Sequence, residues 1–154
     1  MVKICAFFGH RECFGLDESR LEAAIERAIV EYGCSIFWCG GMGAFDWLAA
    51  RKVRKLKARY PHIRCVRVYA YLPVGKDPNE ERCDESFVPD GLETAPRRAA
   101  IPRRNAWMAR RCDMAIVFLN VSQSGAYVAA TSIHRAGKPV ISLGGLVLSQ
   151  APGG

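Results

Sequence analysis

The sequence predicts an α/β fold: one three-layer domain in which helices cover both faces of a mostly parallel sheet of about five strands. Short apolar runs alternate along the chain with longer segments of helical periodicity. The apolar runs contain few polar residues, which is typical of strands that are buried on both faces. The length of 154 residues favours a single domain, which we place at 1–145, followed by a C-terminal tail at 146–154.

The first half of the chain predicts two strands, each followed by a helix. The run at 3–8 (KICAFF) is the first predicted strand. Asp17 is a candidate N-cap for a helix that ends at Gly33. The run at 34–39 (CSIFWC) predicts the second strand, and a helix at about 44–59 carries apolar residues on one face.

A long connection follows the third predicted strand, at 65–72 (CVRVYAYL). The segment 73–100 contains four prolines and many acidic residues, and we expect a loop with at most one short helix near 78–84. A helix is predicted from about 101 to 111.

The C-terminal part predicts one more strand–helix–strand unit. The fourth strand is expected at 114–121 (MAIVFLNV), and the turn at 122–125 starts a helix that ends at Gly137. The last strand is expected at 139–143 (PVISL).

Composition favours a cytoplasmic protein. Every apolar run is shorter than the roughly 18–20 residues that span a bilayer, and the N-terminus lacks a signal-peptide pattern. The seven cysteines are scattered, and no two form a C-x-x-C pair. Several lie in or beside apolar runs, so we interpret them as small buried side chains and predict no metal site. These are Cys5, Cys34, Cys39 and Cys65.

Basic residues are concentrated in two clusters, at 51–59 and 97–111, within a net charge of +7. Such clusters can bind nucleic acid or a phosphorylated ligand. For 51–59 a solvated helix face is the simpler interpretation. The second cluster lies beside a predicted functional loop, which favours contact with a ligand.

Loops that contain glycine, small polar or charged residues follow four of the predicted strands, at 9–11, 40–46, 73–75 and 120–125. In an open parallel sheet, ligands bind beyond the carboxyl ends of the strands. We therefore expect these loops to lie around one ligand site.

The second loop contains the candidate ligand-binding residues Gly40, Gly41, Met42, Gly43 and Asp46. Glycines between a strand and a helix let the backbone approach a ligand, and the helix N-terminus favours an anion. The loop lacks the lysine of a Walker loop and the third glycine of a dinucleotide fingerprint. It therefore suits a phosphate or a ribose. Asp46 could bind ribose hydroxyls, act in catalysis or only complement the helix dipole.

Three candidate residues follow the first strand: Gly9, His10 and Arg11. His10 could donate to a phosphate or act as a general acid or base, which makes it the second candidate catalytic residue. Arg11 could bind a phosphate through two hydrogen bonds. Alternatively, His10 caps a turn and Arg11 pairs with a nearby carboxylate.

The remaining candidates flank the fourth strand. Arg104 and Asn105, on the preceding helix, could bind an anion and a base or ribose edge, unless Arg104 is one more solvated base. Ser122, Ser124 and Gly125 form the next strand-to-helix turn, which could make a second phosphate contact. Ser124 could equally serve only as the helix N-cap.

Four segments together resemble the YpsA-type branch of the SLOG superfamily, which includes the LOG phosphoribohydrolases and the DNA-processing protein DprA. They are FFGHR (7–11), GGMGAFDWLAARKVRKLKARYP (40–61), RRNAWMARRCDMAIVF (103–118) and SQSGAYVAATSIHRAGKPVISL (122–143). The resemblance implies a Rossmann-like sheet, a pocket for a nucleotide or an NAD- or ADP-ribose-type ligand, and a homo-oligomer, commonly a dimer. It also implies a role as a binder or sensor of such ligands.

One departure argues against LOG-type cleavage of an N-glycosidic bond. LOG enzymes carry a P-G-G-x-G-T loop followed by glutamate. This chain keeps Gly125 but has Ala126, Val128 and Ala129 where the threonine and the carboxylates are expected. Without a carboxylate, the developing cation and the attacking water lose their partners. Hydrolysis of a nucleotide through Asp46 or His10 remains an alternative, as does DNA binding through 51–59.

Overall fold

A computed structural model describes residues 2–10, 12–40, 43–73, 75, 83–122, 124–145 and 148. It confirms the predicted α/β fold, with a parallel sheet and helices on both of its faces. The strands are β1 (Lys3–Gly9), β2 (Cys34–Cys39), β3 (Arg64–Val68), β4 (Glu85–Phe87), β5 (Met114–Phe118) and β6 (Val140–Ser142). The helices are α1 (Glu18–Val30), α2 (Ala44–Leu56), α3 (Arg97–Arg111) and α4 (Gly125–Arg135).

The spatial order of the strands is β4-β3-β2-β1-β5-β6, and all five pairings are parallel. The chain builds the sheet outward from β1 to β4 and then returns to place β5 on the other side of β1. The strand order therefore reverses between β1 and β5. In such sheets this reversal opens a crevice where ligands bind.

Two apolar layers hold the helices against the sheet. Because side chains alternate along a strand, Phe7 faces the layer of α1 and α2, whereas Phe8 faces the layer of α3 and α4. Phe7 contacts Phe37 and Phe45, with ring centroids 5.8 Å and 6.2 Å away. This aromatic packing fixes the start of α2 above the sheet.

The predicted N-cap of α1 is confirmed. The carboxylate of Asp17 accepts hydrogen bonds from the backbone N–H of Ser19 at 2.9 Å and from its hydroxyl at 2.6 Å. These hydrogen bonds lower the pKa of Asp17. After the helix, Gly33 has a φ of 73°, which is a left-handed conformation that glycine adopts without strain.

The segment 73–100 differs from the expected loop. It contributes the sixth strand, β4, and a 3-10 turn at Leu92–Thr94, and α3 begins within it at Arg97 rather than near 101. Strand β4 is short and mostly exposed, so it carries little of the apolar signal that marks a strand. Most of the short helix expected near 78–84 falls outside the described residues, as does nearly all of the predicted tail.

The remaining boundaries differ by a few residues. The third strand ends at Val68 rather than at 72, and the fourth ends at Phe118 rather than at 121. Helix α2 ends at Leu56. No helix within the described residues is both long enough and apolar enough to cross a membrane.

Candidate functional site

A cavity of about 300 Å³ lies where the strand order reverses. Its walls come from the ends of β1 and β2, the first turns of α2 and α4, and one face of α3. The lining residues are Phe7, Phe8, Gly9, His10, Gly40, Asp46, Ile101, Arg104, Asn105, Met108, Ser124, Gly125 and Ala126.

Most of the candidate residues from the sequence meet in this cavity. They are Gly9, His10, Gly40, Asp46, Arg104, Asn105, Ser124 and Gly125. Gly43, the N-cap of α2, and the exposed Ser122 do not line it. Arg11, Gly41 and Met42 lie outside the described residues, so their predicted contacts with a ligand stay predictions.

The sequence analysis missed the apolar wall of the cavity. Ile101 and Met108 line it from the same face of α3 as Arg104 and Asn105. The spacing of these four residues, at i, i+3, i+4 and i+7, is that of one helix face. This periodicity is the signal that could have grouped them.

Arg104 is the central charged residue of the site. Only 4% of it is exposed. Its Nη1 donates to the carbonyl of Gly40 at 3.1 Å and to that of Val68 at 3.4 Å. Its Nε and Nη2 donate to the Oδ1 of Asn105 at 3.3 Å and 3.2 Å. Arg104 is therefore not a solvated surface base.

The absence of a side chain at Gly40 makes room for this guanidinium group. A Cβ at Gly40 would lie 2.9 Å from the Cζ and the Nη2 of Arg104, closer than side chains pack. Gly9 has a different reason for being glycine. A Cβ there would lie 2.3 Å from the ring of Phe45, so Gly9 lets the start of α2 pack against β1.

Asp46 brings a carboxylate into the first turn of α2. It is 9% exposed, and its backbone carbonyl accepts a hydrogen bond from the Sγ of Cys39 at 3.0 Å. Burial lowers the pKa of Arg104, while the negative charge of Asp46 opposes that shift. The carboxylate of Asp46 therefore favours the charged form of Arg104. It also complements the dipole of α2, because it lies at the N-terminus of that helix.

His10 ties two loops together. Its Nε2 accepts hydrogen bonds from the backbone N–H of Asn120 at 2.8 Å and of Val121 at 3.4 Å. Nε2 can accept a hydrogen bond only when the imidazole is neutral. Burial also favours the neutral form, because it lowers the pKa of His10. Because Nε2 is occupied by the backbone, any hydrogen bond that His10 donates to a ligand has to come from Nδ1–H.

The start of α4 forms the opposite wall. The hydroxyl of Ser124 accepts from the backbone N–H of Tyr127 at 3.1 Å, so Ser124 is the N-cap. A Cβ at Gly125 would lie 3.3 Å from the Nδ2 of Asn105. The side-chain amide of Asn105 therefore lies between Arg104 and the N-terminus of α4, where backbone N–H groups favour an anion.

A third buried charge, Arg67, belongs to the same neighbourhood. Its guanidinium lies 4.7 Å from the ring centroid of Tyr69, and its charge lowers the pKa of Arg104. In the sequence, Arg67 is a base inside an apolar strand, and this pattern is the signal that could have identified it. Among the described residues the buried charged side chains are Asp46, Arg67 and Arg104.

No protein-family model and no curated protein sequence matches the chain. Solved structures do. DNA processing protein A (DprA) from Streptococcus pneumoniae matches with a TM-score of 0.64 at 18% identity, over 92% of this chain and 50% of that one. DprA from Helicobacter pylori, described with a unique single-stranded DNA binding mode, matches with a TM-score of 0.62 at 16% identity. That alignment covers 98% of this chain and 67% of the other.

The Moco carrier protein from Chlamydomonas reinhardtii also matches, with a TM-score of 0.50 at 17% identity, over 99% of this chain and 79% of that one. The chain shares a Rossmann-like α/β fold with these structures. This chain spans half the length of the S. pneumoniae protein. At such identities the comparison establishes the fold.

Proposed function

We propose that the cavity binds the phosphate of a nucleotide or of an NAD- or ADP-ribose-type ligand. The observation that carries this proposal is the buried guanidinium of Arg104 in the cavity wall, near the N-terminus of α4. Its hydrogen-bond partners are two backbone carbonyls and the Oδ1 of Asn105, which are all neutral. A ligand phosphate would place a negative charge beside this cation.

The walls suit the two ends of such a ligand. The phosphate would lie between Arg104 and the N-terminus of α4, where charge-assisted hydrogen bonds are strongest. The nucleoside would lie along the apolar side chains of Ile101 and Met108. A volume of about 300 Å³ is at the small end of ligand pockets, which favours one nucleotide unit in the described cavity.

Calorimetric titration with ADP-ribose, NAD and AMP tests this proposal. We expect saturable heat for at least one of them, and competition by inorganic phosphate. No heat at millimolar concentrations of all three ligands would contradict it.

The sensor role, the homodimer, the cytoplasmic location and the YpsA-type branch are parts of the same proposal. The sequence segments that resemble the YpsA-type branch support the first, second and fourth of these, and the composition supports the cytoplasmic location. Light scattering with and without the bound ligand measures the oligomeric state. A monomer under both conditions would remove the dimer from the proposal.

Hydrolysis of a nucleotide is a second candidate function, favoured by the carboxylate of Asp46 in the cavity wall. Chromatography of nucleotide incubations separates an enzyme from a binder, because only an enzyme releases free base. Release that disappears in Asp46→Asn would support hydrolysis over binding alone.

Single-stranded DNA binding is a third candidate, supported by the H. pylori neighbour and by α3. Helix α3 has six arginines and no acidic residue. This surface suits a polyanion better than 51–59, where several bases are in ion pairs with acidic residues. Gel shifts at low salt measure such binding, and an unshifted oligonucleotide would remove this candidate.

A further inference from the structure

Three thiols lie together beside the candidate site. Cys39 ends β2, Cys65 lies in the neighbouring β3, and Cys83 precedes β4. The Sγ atoms of Cys65 and Cys83 are 3.5 Å apart. Cys65 is buried, whereas Cys83 is partly exposed, so solvent reaches one member of the pair.

Backbone contacts hold this pair in place. The backbone N–H of Asp84 donates to the carbonyl of Cys65 at 2.8 Å, and the N–H of Cys65 donates to the carboxylate of Asp84 at 2.9 Å. Asp84 also forms an ion pair with Lys57. A disulfide needs an S–S distance of about 2.0 Å, so the two sulfur atoms have to approach by only about 1.5 Å.

We propose that Cys65 and Cys83 form a reversible disulfide, with Cys83 as the thiol that reacts first with a low-molecular-weight disulfide. The thiolate of Cys83 attacks one sulfur of that disulfide, forms a mixed disulfide and releases one thiol. The thiolate of Cys65 then attacks the Sγ of Cys83 and releases the second thiol. The protein loses two electrons and two protons, and the small disulfide is reduced to two thiols.

The other cysteines make useful references. Cys5, Cys34 and Cys112 are buried and have no exposed partner thiol among the described residues. Cys13 is partly exposed, like Cys83, but no described thiol lies within hydrogen-bond distance of it. Cys13 can therefore form a mixed disulfide but has no described neighbour to resolve it.

The second step depends on pH. Hydrogen bonds with its neighbouring thiols and burial raise the pKa of Cys65, so little of it is thiolate at neutral pH. We therefore expect the mixed disulfide on Cys83 to form first and to resolve faster as pH rises.

The experiment incubates the full chain with oxidised glutathione at pH 8 and then alkylates the remaining thiols. Intact mass and peptide mapping should show an internal Cys65–Cys83 link, with the loss of two hydrogen atoms and no retained glutathione at these positions. Cys65→Ser should trap glutathione on Cys83. Cys83→Ser should abolish the link, whereas the matched control Cys13→Ser should leave it intact.

Two outcomes would overturn the proposal. One is a wild-type protein that retains glutathione on Cys83 without forming the link. The other is a Cys83 that stays reduced while Cys13 is modified. Both are read from the wild-type protein, so they do not depend on whether a variant folds.

Discussion

The two basic helices α2 and α3 use their charges in opposite ways. Bases in and after α2 form ion pairs with acidic residues, including Lys55 with Glu22 at 2.8 Å and Arg59 with Glu26 at 2.8 Å. Within the described residues, none of the arginines of α3 forms an ion pair with a carboxylate. The number of basic residues in a segment therefore does not by itself predict the electrostatic potential at its surface, because acidic residues from other elements can pair with them.

Three of the arginines of α3 instead lie against aromatic rings or carbonyl groups. Arg97 lies 4.3 Å from the ring centroid of Tyr71, and Arg111 lies 4.5 Å from that of Trp107. Arg104 points inward to the carbonyl of Gly40. Among the described carboxylates, only that of Asp46 is seen to act on an arginine of α3, namely Arg104. The positive charge of the exposed arginines is therefore available to an anion.

The largest effect is expected at Arg104. Arg104→Gln removes the buried charge but keeps two hydrogen-bonding groups, and it should lower the affinity for a phosphorylated ligand by about 100-fold or more. The matched control on α2 is Arg51→Gln, because Arg51 is exposed and lies over Trp47. Calorimetry measures both. Equal losses of ligand affinity in the two variants would contradict the claim that the charge of α3, and not that of α2, binds the ligand.

A smaller loss is expected at Gly40. In Gly40→Ala the added Cβ would displace the guanidinium of Arg104 from its carbonyl partners, and affinity should fall by about tenfold. Gly145→Ala is the control, because its Cβ would meet only the Oδ1 of Asn120 at an ordinary 3.7 Å. Unchanged ligand affinity in Gly40→Ala would show that the position of Arg104 does not matter for binding.

A few-fold effect is expected for the binding of single-stranded DNA. Removing two solvent-facing charges of α3, with Arg103→Gln and Arg110→Gln together, should weaken binding and flatten its salt dependence. The same change in charge on α2, with Arg51→Gln and Lys55→Gln, should have less effect because Lys55 is already paired with Glu22. Fluorescence anisotropy against salt concentration compares them. A larger loss in the α2 variant would reverse this assignment.

The smallest effect concerns His10 and pH. Burial lowers the pKa of His10, so the unfolded chain, with a histidine pKa of about 6.5, takes up this proton more readily than the folded chain. The stability from neutral His10 is therefore full above about pH 6.5 and declines as pH falls toward the lowered pKa. Urea unfolding between pH 7.5 and 5 should show a shallower decline in His10→Gln. Parallel pH profiles would contradict this role.

The sequence predicts the parts of this molecule that depend on local signals. Buried strands such as β5 are uninterrupted apolar runs, and Asp17 caps α1 through a residue only two positions away. Strand β4 was missed because three mostly exposed residues carry no such pattern. Its place in the sheet depends on pairing with β3.

Only the part of the site that depends on local signals was predicted from the sequence. The glycine loops could be found because glycine between a strand and a helix has a local meaning. The burial of Arg104 could not be predicted from the sequence, because its carbonyl partners on Gly40 and Val68 lie 64 and 36 positions away in the chain. An arginine on a helix is usually exposed, and only the fold reverses that expectation.

The central claim is that the buried positive charge at Arg104 binds a phosphate. The most direct measurement compares AMP with adenosine by calorimetry, since these ligands differ only in that group. AMP should bind at least about tenfold more tightly than adenosine, and Arg104→Gln should remove most of the difference. Equal affinities for AMP and adenosine in the wild-type protein would contradict the claim.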